Sequence, residues 1–391
     1  MQKRIINEHA WLLGAVDWNR RLFDALIPLP DGTSYNAYLV QGTEKTALLD
    51  TVDPSKADVL LAQLANVDKV DYLVAHHAEQ DHSGTIPLVL QRYPGATLIT
   101  SPKGKGMLID LLRIPEERIR TVTNGEIISL GGKTLEFIHT PWVHWPETMC
   151  SYLPEDGILF SCDFFGSHFA TTDLYVQNQA IVYEAAKRYY AEIMMPFRTS
   201  IRKHLDVIKN RAVKLIAPSH GPLYAEPEFI LKAYADWVSE EVKNEVVLPY
   251  VSMHGSTEAM IRHLVDALVE RDVKVHPFDL AATDLGKLAI ALVDAATLIV
   301  GTPTVHVGPH PAVFHAAHLA NALRPKLRWA SIIGSYGWSS QAVERIVELI
   351  PNLKVETLNP VICQGAPREK DFQALTALAE VVAAKHRGLS N

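Results

Sequence analysis

Short apolar runs separated by polar turns dominate the front of the chain: YNAYLV (35–40), TALLDTV (46–52), DYLVAHH (71–77) and ATLITS (96–101), then TLEFIHT (134–140) and GILFSCD (157–163). Runs of this length, rich in β-branched and aromatic residues, predict strands. Helical spacing lies between some of them, over Lys56–Ala65 and Ile86–Arg92. Strands with interspersed helices point to a layered α/β fold. A mainly helical stretch is expected from Val182 to Ile208, broken at Pro196, and the strand 213–219 (VKLIAPS) then leads to His220.

Near Val246 the pattern changes. VVLPYVS (246–252) is almost continuously apolar, as expected of a parallel strand covered on both faces. A polar turn comes next, then a helix with Met260, Leu264, Val265 and Leu268 on one side. TLIVGTP (297–303) and WASIIGS (329–335) repeat the scheme of apolar strand and small-residue turn, which predicts a doubly wound parallel sheet. The polar stretch EEVKNE marks the expected joint, dividing the chain into 1–245 and 246–391.

Composition narrows the function. A hydrophobic fraction of 48% and a charged fraction of 21% over 391 residues describe packed domains, not disorder. The net charge of −7 carries no basic run, so a nucleic-acid partner is not expected. Three cysteines, Cys150, Cys162 and Cys363, form no CxxC pair, which leaves no Cys-ligated zinc or iron–sulfur motif. Free cysteines suit a reducing compartment. The charged N-terminal stretch lacks a signal-peptide core, and no apolar run reaches the ~20 residues of a membrane span. A cytoplasmic protein is expected.

The strand 71–77 delivers His77, and the chain continues Ala78-Glu79-Gln80-Asp81-His82. Four potential ligands in six residues, on a loop at a strand end, can turn to one point as metal coordination requires. Three later residues also end strand-like runs: His144 between two tryptophans, Asp163 before Phe164-Phe165, and His220 before Gly221. A carboxylate in such apolar surroundings needs a partner. His76 should point to the opposite face by strand alternation, and His168 is open between a pocket role and a structural one.

The ordered set His77, Asp81, His82, His144, Asp163, His220 resembles the metallo-β-lactamase superfamily, whose first motif is usually HxHxDH. Here Glu79 stands at the second histidine, and a hard anionic oxygen shifts preference from zinc toward iron or manganese. With that change the whole chain resembles the flavodiiron proteins. The resemblance implies an N-terminal metallo-β-lactamase-like αββα sandwich followed by a flavodoxin-like domain. It implies one iron on His77, Glu79 and His144, a second on Asp81, His82 and His220, and Asp163 bridging. His82 is the position in that set that does not always ligate.

In the back half, Ser252-Met253-His254-Gly255-Ser256-Thr257 joins a buried strand to a helix. Hydroxyls and backbone N–H groups there can surround a phosphate at the helix start, without the P-loop lysine or a GxGxxG pattern. The loop resembles the flavodoxin phosphate loop for FMN. Pro303-Thr304 and Ser335-Tyr336-Gly337-Trp338 come after the next two strands and would enclose the flavin ring by the same resemblance. The family pattern is departed from at His306, where asparagine is usual, and at Ser340, where glycine is common.

The resemblance implies reduction of dioxygen to water or of nitric oxide to nitrous oxide. Electrons would come from an external donor, a rubredoxin-like protein or a reduced deazaflavin, and pass through FMN to the irons. It also implies a head-to-tail homodimer or homotetramer, in which one chain's flavin meets its partner's irons. The rival readings are a dizinc hydrolase fused to a flavodoxin, a bare electron carrier and a redox sensor.

Overall fold

A computed structural model describes residues 2–390. They divide into two compact units, one made of residues 2–190 with Phe197–Val238, the other of Ala191–Pro196 with residues 239–390.

The front-half runs form a seven-stranded sheet in the order Arg4–Ile5, Ala10–Asp17, Thr33–Gln41, Thr46–Leu49, Tyr72–Val74, Thr97–Thr100, Ile119–Thr121. From Thr46–Leu49 onward the strands are parallel, so the segments leaving their C-terminal ends all emerge on one rim. A five-stranded sheet is ordered Ile127–Ser129, Thr134–His139, Met149–Leu153, Ile158–Cys162, Leu215–Pro218. Its last two strands are parallel with Cys162 opposite Pro218, which releases Asp163 and His220 side by side.

Strand alternation explains why both faces of the first sheet are apolar. Leu49, Val74 and Ile99 share a core with Phe137, Met149 and Phe160 of the second sheet. Leu48, Leu73 and Leu98 face the other way, onto Leu60, Ile86, Val89 and Leu108 of flanking helices. Truncating one of them, as in Leu73→Ala, should cost about 2–5 kcal/mol. The helices Gln179–Tyr189, Arg198–Lys209 and Pro227–Trp237 bury Val182, Ile201 and Ile230 and complete an αββα sandwich. The helical stretch changes earlier than expected: the α-helix ends at Tyr189, a wide turn Tyr190–Met194 follows, and Pro196 lies in the 3-10 turn Met195–Phe197 that leads into Arg198–Lys209.

The second unit has a parallel sheet ordered Lys274–Asp279, Lys243–Tyr250, Ala295–Val305, Trp329–Tyr336, Glu356–Thr357, with Val361–Gln364 also beside Trp329–Tyr336. This is the flavodoxin-like strand order. Val246, Leu248, Ile299 and Ile333 pack on Met260, Leu264 and Leu268 of the helix Ser256–Val269 and on Leu375 and Leu378 of the helix Glu369–His386. Residue 245 lies inside the first strand of this unit, which starts at Lys243. All three cysteines are buried free thiols. No helix among the described residues is long and apolar enough to cross a membrane.

Candidate metal centre and loop cavity

The segment 77–82 is less uniform than a loop. His77 and Glu79 come after the strand end, and Asp81 and His82 lie in one helical turn, Gln80–Ser83, that starts after Glu79. That turn places Asp81 and His82 on the same rim as Asp163 and His220. Gly221, directly after His220, has φ +83, and a Cβ there would meet the Ser167 hydroxyl at 2.1 Å, so only glycine lets the chain leave the site this way.

Three groups of potential ligand atoms result: His77, Glu79, His144 and Asp163 in the first, Asp81, His82 and His220 in the second, and His82, Cys162 and Asp163 in a third that links those two. In the first group Glu79 Oε2 lies 3.1 Å from His77 Nε2 and 3.2 Å from His144 Nε2. In the second Asp81 Oδ1 is 3.3 Å from His82 Nε2 and its Oδ2 is 3.2 Å from His220 Nε2. Asp163 touches both. Its Oδ2 lies 3.2 Å from His144 Nε2 and 3.5 Å from His77 Nε2, while Oδ1 lies 2.9 Å from His82 Nε2 and 3.4 Å from His220 Nε2.

The tautomers set by the surroundings say what these contacts are for. His77 Nδ1 faces Glu147 Oε1 at 2.7 Å, and His220 Nδ1 faces the Ser34 carbonyl at 2.7 Å. Both partners only accept, so each Nδ1 carries the proton and each Nε2 presents a lone pair toward carboxylates. Lone pairs and carboxylates held this close need a cation between them. Asp81, His82 Nε2 and both Asp163 oxygens are buried without a well-aligned hydrogen bond. They crowd together, as in the 2.9 Å approach of Asp163 Oδ1 to His82 Nε2, so the donor set fits a pair of metal ions with mixed nitrogen and oxygen ligands.

Without a cation, protons take that role. Burial opposes charge on His220, but Asp163 and Asp81 outweigh it and push its pKa up to about 10. His144 rises to about 9, its burial outweighed by Asp163 and Glu79. Burial likewise opposes charge on Asp163, yet His82 and its other imidazole neighbours hold it well below the usual carboxylate range.

His76 faces away from this centre. Its Nδ1 meets Asp50 Oδ2 at 2.7 Å and its Nε2 meets the Ser151 hydroxyl at 2.6 Å, a fully buried and structural trio. His168 sits nearer: its ring centre is 4.8 Å from that of His220, and its Nδ1 pairs with the Thr33 hydroxyl at 2.9 Å. Burial, reinforced by His220, keeps it neutral with a pKa well below the ordinary value. Trp145 stands edge-on to His77 at 4.9 Å, whereas Trp142 is half exposed.

In the second unit Met253, His254, Ser256, Thr257, Pro303, Thr304, Ser335, Tyr336, Gly337 and Trp338 line one cavity of about 330 Å³ with Gly365. Ser252 and Gly255 are off its wall. The Ser252 hydroxyl accepts from the Glu258 N–H, and Gly255, at φ +85, turns the chain into the helix Ser256–Val269. Thr257 and Ser335 hydroxyls approach to 3.4 Å across the cavity. Trp338 is 85% exposed, so its large ring has no packing role of its own.

The "ODP family beta lactamase" model matches residues 33–221. A curated nitric oxide reductase of Moorella thermoacetica is 36% identical over 97% of this chain and 98% of its own. The chain is a flavodiiron protein. Among solved structures, rubredoxin:oxygen oxidoreductase from Desulfovibrio gigas superposes with a TM-score of 0.95 at 30% identity, over 99% of both chains. The flavodiiron protein from Giardia intestinalis gives 0.91 at 26% identity, over 99% of this chain and 98% of that one.

Three residues of this flavodiiron protein stand outside the motifs legible in its sequence. Glu147 orients His77 and also accepts the Ala78 N–H at 3.0 Å. Its signal was present as the acidic residue three positions after His144. Asp24 lies close to Glu79, and partial burial with that neighbouring charge pushes its carboxyl up to about 6. Gly365 completes the cavity from just beyond the strand Val361–Gln364, whose short apolar run gave no cue.

Proposed function

We propose that this chain is a cytoplasmic reductase of dioxygen, nitric oxide or both, holding two irons in the first unit and FMN in the second. Asp163 carries the reading, because each of its oxygens faces a separate ligand group. His77, Glu79 and His144 would hold one ion, and Asp81, His82 and His220 the other. Bound iron supplies gas binding and one-electron chemistry, and bound flavin accepts electron pairs and passes them on singly.

The residues do the rest. Glu147 and the Ser34 carbonyl keep His77 and His220 in the ligating tautomer. Phe164 and Phe165, the two residues after Asp163, are fully buried, stacked at 4.0 Å and packed edge-on against Tyr234, which anchors the chain directly after Asp163 in the core. In the second unit, N–H groups opening the helix Ser256–Val269, with the Ser256 and Thr257 hydroxyls, suit a phosphate. Thr304 and the 335–338 loop suit a flat ring.

The donor would be an external protein of the rubredoxin kind or a reduced deazaflavin, and a head-to-tail homodimer or homotetramer would bring flavin and iron together. The relatives' names as reductase and oxidoreductase favour this over the dizinc hydrolase. Iron- and FMN-loaded protein, supplied with reductant in an electrode cell, should consume at least one of the two gases. Consumption of neither would defeat the proposal.

A further inference from the structure

Behind the metal centre the first unit buries an unusual run of oxidisable rings. Tyr189 lies 5.8 Å from His220 and 4.8 Å from His168 between ring centres. The next residue, Tyr190, is 5.5 Å from Tyr234 and 5.3 Å from Trp237. Tyr234 and Trp237 are 5.1 Å apart, and Trp237 is 5.4 Å from Tyr183. The Trp237 indole N–H donates to the Tyr183 hydroxyl at 3.2 Å. Tyr189, Tyr190, Tyr234 and Trp237 are at most 2% exposed, whereas Tyr183 is only half-buried.

Packing alone does not call for this composition. Each buried phenol or indole carries a polar group that must be accommodated, and phenylalanine or leucine would fill the same space without that cost. The neighbouring Phe164 and Phe165 show that the core accepts such rings. Tyrosine and tryptophan differ from them chemically in giving up one electron at potentials that a partly reduced oxygen species can reach.

We propose that Tyr189, Tyr190, Tyr234, Trp237 and Tyr183 form a relay that draws single oxidising equivalents away from the metal centre to the surface. The inference rests on the gas-reducing reading above. Dioxygen needs four electrons and four protons to become two waters. When the donor supplies only three of each, the relay supplies the fourth electron. Tyr183 ends as a neutral tyrosyl radical, its phenolic proton released to solvent, which provides the fourth proton at the site. The sum is one dioxygen, three electrons, three protons and one phenol giving two waters and one phenoxyl. A surface reductant of the thiol or ascorbate class then returns a hydrogen atom to Tyr183. Ligand histidines are spared.

The test uses iron- and FMN-loaded full-length protein turning over dioxygen with limiting donor, with oxygen uptake and residue oxidation, by peptide mass spectrometry, read on the same sample. In the parent, oxidation should collect on Tyr183 and Trp237. In Trp237→Phe, oxidation of Tyr183 should fall severalfold and that of the ligand histidines should rise, with unchanged uptake when donor is in excess. Tyr183→Phe, which preserves packing, should instead strand the oxidation on Trp237. Oxygen uptake with no oxidation along the relay, or with Tyr183 oxidised equally in Trp237→Phe, overturns the relay alone. Absence of uptake in the parent overturns the functional reading and the relay with it.

Discussion

The proposed cofactor sites of the two units are built in opposite ways. In the first, charged side chains that would be costly to bury singly are packed together at 14% exposure or less, and His77 and His220 are oriented by named neighbours. In the second, the wall is assembled from loop ends that mix small residues with His254 and Tyr336, with Met253 half exposed and Trp338 largely in solvent. A site made of convergent charges depends on every member and on the ion that neutralises them. A site made of loops shares its affinity over many weak contacts, so single losses should be graded.

Removing the shared carboxylate should separate the two units most strongly. Asp163→Asn should leave both ligand groups without their common anion, so iron should fall from about two per chain to one or none and gas uptake should vanish, while FMN content is unchanged. Chelation of the parent should produce the same contrast in calorimetry. The transition of the first unit should drop because ion binding stabilises only the folded state, and that of the second should stay in place. Glu147→Gln keeps the volume but weakens the orientation of His77, and iron affinity should fall ~10–100-fold.

Smaller effects should belong to the second unit. Ser256→Ala or Thr257→Ala should each weaken FMN binding by about 0.5–1.5 kcal/mol, read by fluorescence titration, with iron content untouched. Acid should act through His386, whose pKa burial lowers to about 4 and whose ring nitrogens meet the Thr297 hydroxyl and Asn244 Oδ1. Its neutral form is the one the fold keeps. The associated stability, on the order of 2 kcal/mol, is full above pH ~6.5 and is lost as pH falls toward 4. His386→Gln should flatten that part of the melting profile of the second unit.

The same contrast decides what could be read from the sequence. Residues suited to holding a metal ion are chemically costly to bury, so His77, Glu79, Asp81, His82, His144, Asp163 and His220 stood out at or after strand ends, and the structure brings these candidates together. What did not show was the one-turn helix Gln80–Ser83 and the support from Glu147 and Ser34, because orientation by a neighbour far along the chain has no local signature. The central strands were legible as near-continuous apolar runs because both of their faces are buried, whereas the edge strand Lys274–Asp279 is largely exposed and carried no such run. The loop cavity was legible only through small-residue turns, which explains why Ser252 and Gly255 prove to shape the helix start and Gly365 went unnoticed. At His306 and Val307 the chain makes a two-residue turn with φ of 45° and 68°, a conformation that asparagine and glycine adopt more easily. Ser340 pairs with the Thr304 hydroxyl at 2.8 Å, a contact that a glycine there would lack.

Whether two irons share Asp163 can be measured by anaerobic loading with ferrous iron and one-electron oxidation, monitored by low-temperature electron paramagnetic resonance with metal analysis. A shared bridge should give about two irons per chain and a spin-coupled mixed-valence signal that disappears in Asp163→Asn. A single iron per chain, two zinc ions that iron does not displace, or uncoupled irons whose signal survives Asp163→Asn would contradict it.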